Sequence, residues 1–126
     1  MRGESFEDLE CWQAAYRLKR RIWEEVAPHF PKEERFELKS QIIRAARSST
    51  ANIAEGWGRY HYLDSRKFYL NSRGSQAEIL DHLLEARDCN YISPQLFDSL
   101  KADLNTSLRL LNGYIRYLNS KFENKG

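Results

Sequence analysis

The chain has 126 residues, enough for one domain whose core buries roughly two-thirds of the unfolded surface without a disulfide or metal staple. A hydrophobic content of 41% and an aromatic content of 13% exclude a disordered chain. The formal charge of +2 is too small to mark a nucleic-acid-binding domain by itself, but 30% of the residues are charged, so the question is whether the two signs separate onto different faces.

Glycine and proline cluster in three breaks: Pro28-His29-Phe30-Pro31, Gly56-Trp57-Gly58 with Arg59-Tyr60-His61-Tyr62, and Asn90-Tyr91-Ile92-Ser93-Pro94. The four segments they separate all carry helical period. The first helix is predicted over about 8–27. Cys11, Ala15, Leu18, Ile22 and Val26 form one stripe, and Leu9, Trp12, Tyr16 and Trp23 a second beside it. Together the stripes are wide for the outside of a monomer, and the aromatic side chains Trp12, Tyr16 and Trp23 are expected to be buried. Lys19 falls between them and must snorkel or meet an acid.

The second helix is predicted over about 32–57, with Glu33 and Glu34 in its first turn, where carboxylates complement the dipole. Leu38, Ile42, Ala45, Ala46, Ser49, Ile53 and Trp57 share one arc. Ser40, Arg44, Arg47, Ser48, Ala51 and Glu55 share the opposite one. The third helix is predicted over about 65–89, capped by Asp64 or Ser65. Phe68, Tyr69, Ser72, Ile79, Leu83 and Ala86 face inward, while Lys67, Asn71, Gly74, Glu78, Asp81 and Glu85 face outward. A mid-helix glycine costs about 1 kcal/mol against alanine, which gives Gly74 a packing reason. The fourth helix is predicted over about 94–122 and opens with a Ser93 cap and Pro94. Phe97, Leu104, Leu111 and Leu118, with Leu100, Leu108, Ile115 and Phe122, make an a/d seam. Four long helices joined by short loops imply an all-α, antiparallel up-down four-helix bundle.

Cys11 and Cys89 lie far apart and outside any C-x-x-C pair, so they read as reduced packing residues of a cytoplasmic protein. The stretch from Met1 to Asp8 has no apolar leader region, and no run approaches the ~18 apolar residues of a membrane span. Neither His29 nor His61 nor His82 has a nucleophile at a useful spacing. The pair Glu78 and His82 is one residue too long for a Glu-x-x-His metal motif and occurs once. No catalytic residue, metal or cofactor is expected, and the chain reads as a non-enzyme.

Binding is the better prospect. From Arg44 to Arg59, small residues crowd a helix that also carries Arg44, Arg47, Asn52, Glu55 and Arg59. Small residues admit another backbone, and polar groups among them fix one register because an unpaired one is costly. The segment therefore meets another helix, a second copy or a nucleic acid. Asn52 reads as a register device within a hydrogen-bonded seam. Arg44 and Arg47 on helix two oppose Glu78, Asp81 and Glu85 on helix three, beside Gly74. They are subunit contacts in a closed ring, solvated faces or RNA contacts. Arg17, Lys19, Arg20 and Arg21 are the densest basic cluster. They contact phosphate, or they are a solvated face paired with Glu24 and Glu25.

Several motifs occur in order. They are Phe6-Glu7-Asp8-Leu9-Glu10-Cys11-Trp12, Phe30-Pro31-Lys32-Glu33-Glu34-Arg35-Phe36-Glu37-Leu38, Gln41-Ile42-Ile43-Arg44-Ala45-Ala46-Arg47-Ser48, Asn52-Ile53-Ala54-Glu55-Gly56-Trp57-Gly58-Arg59, and Gly74-Ser75 with Glu78. From Phe6 to about Leu118 the chain resembles the bacterial four-helix-bundle family of 23S ribosomal RNA intervening-sequence proteins. It departs from the usual pattern at Ile43, where arginine is often found, and at Thr50, where proline is. The resemblance implies a ring-shaped homopentamer with no established enzymatic activity. A related branch of the family that the chain resembles is the accessory variability protein of diversity-generating retroelements, which binds nucleic acid through a basic surface and binds a reverse transcriptase. The expectation is a non-enzymatic homo-oligomeric scaffold for RNA, DNA or an RNA-associated protein. The alternative is a purely structural protein-interaction module that binds no nucleic acid.

Overall fold

A computed structural model of the protein describes residues 4–59 and 61–123. Met1 to Gly3 of the N-terminal stretch, Tyr60 of the second break and residues 124–126 lie outside the described residues. The described residues contain four long helices and no strand: α1 (Glu10–Arg21), α2 (Leu38–Gly58), α3 (Tyr62–Asp88) and α4 (Pro94–Glu123). α1 packs on α2 and α4, and α3 packs on the same two, so each helix has two neighbours in chain order around a square. Among the described residues no helix is long and apolar enough to cross a membrane.

The core has two apolar halves. Leu18, Ile22, Val26, Ile42, Ile79, Leu83, Leu100 and Leu104 belong to one. Leu9, Cys11, Ala15, Ile53, Tyr69, Leu111, Ile115 and Leu118 belong to the other. These are the first stripe of α1 with Leu9, the inward arcs of α2 and α3, and the a/d positions of α4, buried because side chains three and four apart share a helix face. Burial pushes the Cys11 thiol up to about 12, which keeps it protonated and unreactive.

A polar belt lies between the two halves. Gln76, Ser72 and Ser107 are fully buried and Ser49 nearly so. The Ser72 hydroxyl donates to the Ser49 carbonyl at 2.6 Å and accepts from Gln76 Nε2 at 3.3 Å. Ser107 donates to Gln76 Oε1 at 2.7 Å, and Ser49 donates to the Ala46 carbonyl at 2.7 Å. The belt joins α2, α3 and α4 through partnered groups, which is the condition under which buried polar side chains are tolerated.

Three helix boundaries differ from the sequence expectation, one end and two starts. Beyond Arg21, α1 widens into a π-helical segment, Ile22–Val26, and then a short 3₁₀ turn, Ala27–His29. The Ala27 N–H donates to the Ile22 carbonyl, five residues back. In a regular α-helix Ala27 would point about 180° from Leu18. The π turn winds less per residue and brings Ala27 to the core, where it is buried. Helix two begins at Leu38 rather than near Lys32. Glu33 and Glu34 sit in a separate 3₁₀ turn, and Glu37 leaves helical geometry at φ −112° and ψ −112°. Glu34 explains the late start: its carboxylate accepts the Leu38 N–H at 3.3 Å, acting as the cap. Its other oxygen accepts from the Tyr91 hydroxyl at 2.8 Å, tying the first loop to the third and raising the Tyr91 pKa to about 12. Helix three begins at Tyr62, so neither Asp64 nor Ser65 caps it. Ser65 lies inside the first turn and donates back to the Tyr62 carbonyl at 2.8 Å.

The close approach assigned to Gly74 is found instead at Gly56. A β-carbon at Gly74 would meet nothing within 4 Å, so within the chain that glycine has no packing reason. At Gly56 it would lie 2.8 Å from Tyr69 Cε1 and 3.1 Å from the Ser65 carbonyl oxygen. Here α2 and α3 approach so closely that a β-carbon has no room.

Candidate nucleic-acid interface

The second stripe of α1 is less buried than its pattern suggests. Trp12 is half-buried, with its ring 5.2 Å from Phe6 and 4.8 Å from Tyr16. Tyr16, however, is 37% exposed and Trp23 is 49% exposed. The core closes over the first stripe and, from the second, over Leu9. Where α1 flanks α2, the facing residues are Ile43 and Ala46, and they leave a groove of about 200 Å³ rather than a seal.

Tyr16, Lys19 and Arg20 of α1 and Trp23 of the π-helical segment line this groove, and Arg47 joins them from α2. Among the described residues Lys19 meets no acid; its ammonium donates to the Thr50 hydroxyl at 3.3 Å and lies 4.6 Å from the Tyr16 ring centroid. Desolvation lowers its pKa first, and the like charges of Arg47 and Arg20 lower it further. The Arg47 guanidinium sits over the Trp23 ring at 5.8 Å. Arg20 pairs with Glu24 at 2.5 Å, but both side chains are more than half exposed. Such a pair contributes little and yields readily to a competing anion.

The basic cluster of the sequence therefore divides. Lys19 and Arg20 reach the groove. Arg17 is exposed and, four residues from Arg21, shares the other flank of α1. Arg21 is committed to structure. Its guanidinium donates to Glu25 at 2.7 and 3.1 Å, to Asp103 of α4 at 2.9 Å and to the Ser99 hydroxyl at 3.0 Å. These bonds hold its pKa above the ordinary arginine range and hold that of Glu25 below the carboxylate range. Arg21→Ala is accordingly expected to lower unfolding free energy by about 1–2 kcal/mol, read by urea denaturation. It is expected to leave any phosphate contact in the groove unchanged; a variant as stable as the parent would deny Arg21 this tying role.

The remaining candidates lie elsewhere. Asn52 donates to the Ser48 carbonyl at 2.9 Å and its hydroxyl at 3.0 Å, and Ser48 is 2.8 Å from Ser75 across the α2–α3 seam. Arg44, Glu55 and Arg59 are exposed, and Glu55 pairs with Arg59 at 3.2 Å. Gly74, Glu78, Asp81 and Glu85 are exposed along the outer face of α3. His82 is half-buried beside Glu34, Glu37 and Glu85. Among the described residues no three His, Cys, Asp or Glu side chains group as metal ligands would.

Sequence reasoning missed Arg47 and Trp23 as partners in one groove. A signal existed: Tyr16 and Trp23 are seven apart and lie about 120–140° from the centre of the Leu18–Ile22 stripe, beyond the edge that a neighbour need cover. Which neighbour stands there is not encoded in that spacing.

The sequence model of one family, described as 23S rRNA-intervening sequence protein, matches residues 7–113. Among curated proteins, none matches the chain.

Proposed function

We propose a function on the premise which that match supplies: the chain belongs to the 23S rRNA-intervening sequence protein family. The protein is a non-enzymatic, cytoplasmic, homo-oligomeric scaffold, a ring of five copies by the family resemblance. Each copy presents the α1–α2 groove to nucleic-acid phosphates. The observation that carries this reading is the convergence of Lys19, Arg20 and Arg47 on one open groove whose lining residues include no acid. Held together, the three cations repel one another, and a phosphate relieves that repulsion. Repetition around a ring multiplies contacts that are weak singly.

Two features support assembly. Phe36 is 79% exposed and Leu63 is 78% exposed, a solvation cost that association removes. The outer arc of α2 offers Arg44 and the outer arc of α3 offers Glu78, Asp81 and Glu85, so opposite charges stand on different faces, as a head-to-tail ring requires.

The test combines light scattering with fluorescence anisotropy against labelled RNA over a salt series. The parent is expected to have a multimer mass and to bind with steep salt dependence. Replacing Lys19 and Arg47 by alanine is expected to keep the mass and to flatten the slope of log K against log salt by about 1.4, the value for two lost single-strand phosphate contacts. A parent that binds no RNA at low salt overturns the nucleic-acid reading and leaves the protein-only module. A monomer mass at micromolar concentration overturns the ring.

A further inference from the structure

We infer that the groove takes unpaired nucleic acid, with Trp23 as the platform on which one base stacks. This rests on the nucleic-acid reading above and narrows it to a strand whose bases are free. Trp23 is a large aromatic side chain left 49% exposed, although the helix carrying it packs its other stripe into the core. Its position is held: the Arg47 guanidinium lies 5.8 Å from the ring, and the π-helical segment Ile22–Val26 contains it. The groove, at about 200 Å³, falls below the roughly 300–1,000 Å³ of clefts that enclose a small molecule. A groove of that size admits one flat ring rather than a whole ligand.

The charges are spaced for the strand that would carry such a ring. Lys19 and Arg20 precede Trp23 by four and three residues, so each stands beside Trp23 on the helix surface. Arg47 closes the opposite wall from α2. A cation-lined groove with an aromatic floor is the combination that single strands use. The phosphates meet the cations and a base meets the ring. A duplex offers the phosphates but keeps its bases stacked on each other, so it brings no base to Trp23. Charge complementarity selects a polyanion, and the exposed ring selects the unpaired form of it.

The test uses the full-length protein with two labelled RNAs of equal length and mixed sequence, one unpaired and one a closed duplex. The parent is expected to prefer the unpaired strand. Trp23→Ala is expected to lower single-strand affinity by about 5- to 150-fold, the range for loss of one base–aromatic stack, and to leave duplex affinity within about twofold. Trp23→Phe, which keeps a ring, is expected to recover most of the loss. Circular dichroism and light scattering on both variants complete the experiment, since an exposed side chain can be truncated without unfolding the chain. Equal binding of both RNAs, unaffected by Trp23→Ala, overturns the stacking inference and leaves the phosphate-binding function standing. A Trp23→Ala variant with a changed oligomer mass identifies the ring as a subunit contact and also overturns the inference. No binding of either RNA by the parent at low salt removes the nucleic-acid reading itself.

Discussion

Gln76→Ala is expected to destabilise the protein by about 2–5 kcal/mol. Two costs add. Gln76 is fully buried, so truncation leaves a cavity between the two apolar halves of the core. It also removes the acceptor of the Ser107 hydroxyl and one partner of the Ser72 hydroxyl, groups that no water reaches. Gln76→Leu separates the costs. It fills much of the space and leaves only the unpaired hydroxyl, so about 1–3 kcal/mol of the loss should remain. Urea denaturation with a constant m-value reads both variants. An alanine variant as stable as the parent would show that the belt is not a closed network. The consequence reaches the groove. The belt engages α2 at Ser49, one residue from Thr50, which receives the Lys19 ammonium, and two from Arg47, which covers Trp23. Slippage of α2 would therefore move one wall of the candidate site.

Gly56→Ala is expected to cost about 1–3 kcal/mol, although alanine is the better helix former by about 1 kcal/mol. The added β-carbon would stand 2.8 Å from Tyr69 Cε1, 2.9 Å from Cζ and 3.1 Å from the Ser65 carbonyl oxygen. Tyr69 cannot swing aside: it is 2% exposed and meets the Tyr114 ring edge-on at 5.3 Å. Its neighbour at the contact is backbone, which yields only if α3 moves away from α2. Gly74→Ala is the internal control. With open space around it, that substitution should gain up to about 1 kcal/mol of helix propensity. If Gly56→Ala matched Gly74→Ala in thermal and urea stability, the close approach of α2 and α3 would be wrong.

The helices and their buried stripes were legible in the chain because burial on a helix follows a 3.6-residue period that each segment carries within itself. Leu18, Ile42, Ile79, Leu104 and Leu111 lie where the pattern puts them, at the centre of the core. Gln76 and Ser107 were harder to read, since a polar residue on an apolar arc looks like an interruption until its partners on other helices are known. Helix ends were harder still. The start of α2 depends on Glu34 reaching the Leu38 N–H while Tyr91, far along the chain, holds the same carboxylate.

Among the charged candidates the reason is the same. Lys19, Arg20 and Arg21 are consecutive and chemically alike, and local pattern cannot rank them. Their fates follow from the flank each meets: α4 presents Asp103 and Ser99 to Arg21, whereas α2 presents Thr50 to Lys19 and a second cation, Arg47, across the groove. Composition and period thus carry the helical class, the inward faces and the family motifs, because these depend on neighbours a few residues away. The pairing of helix flanks sets how far Trp23 is covered and which cations converge, because that depends on side chains distant in sequence and on how wide a gap they leave.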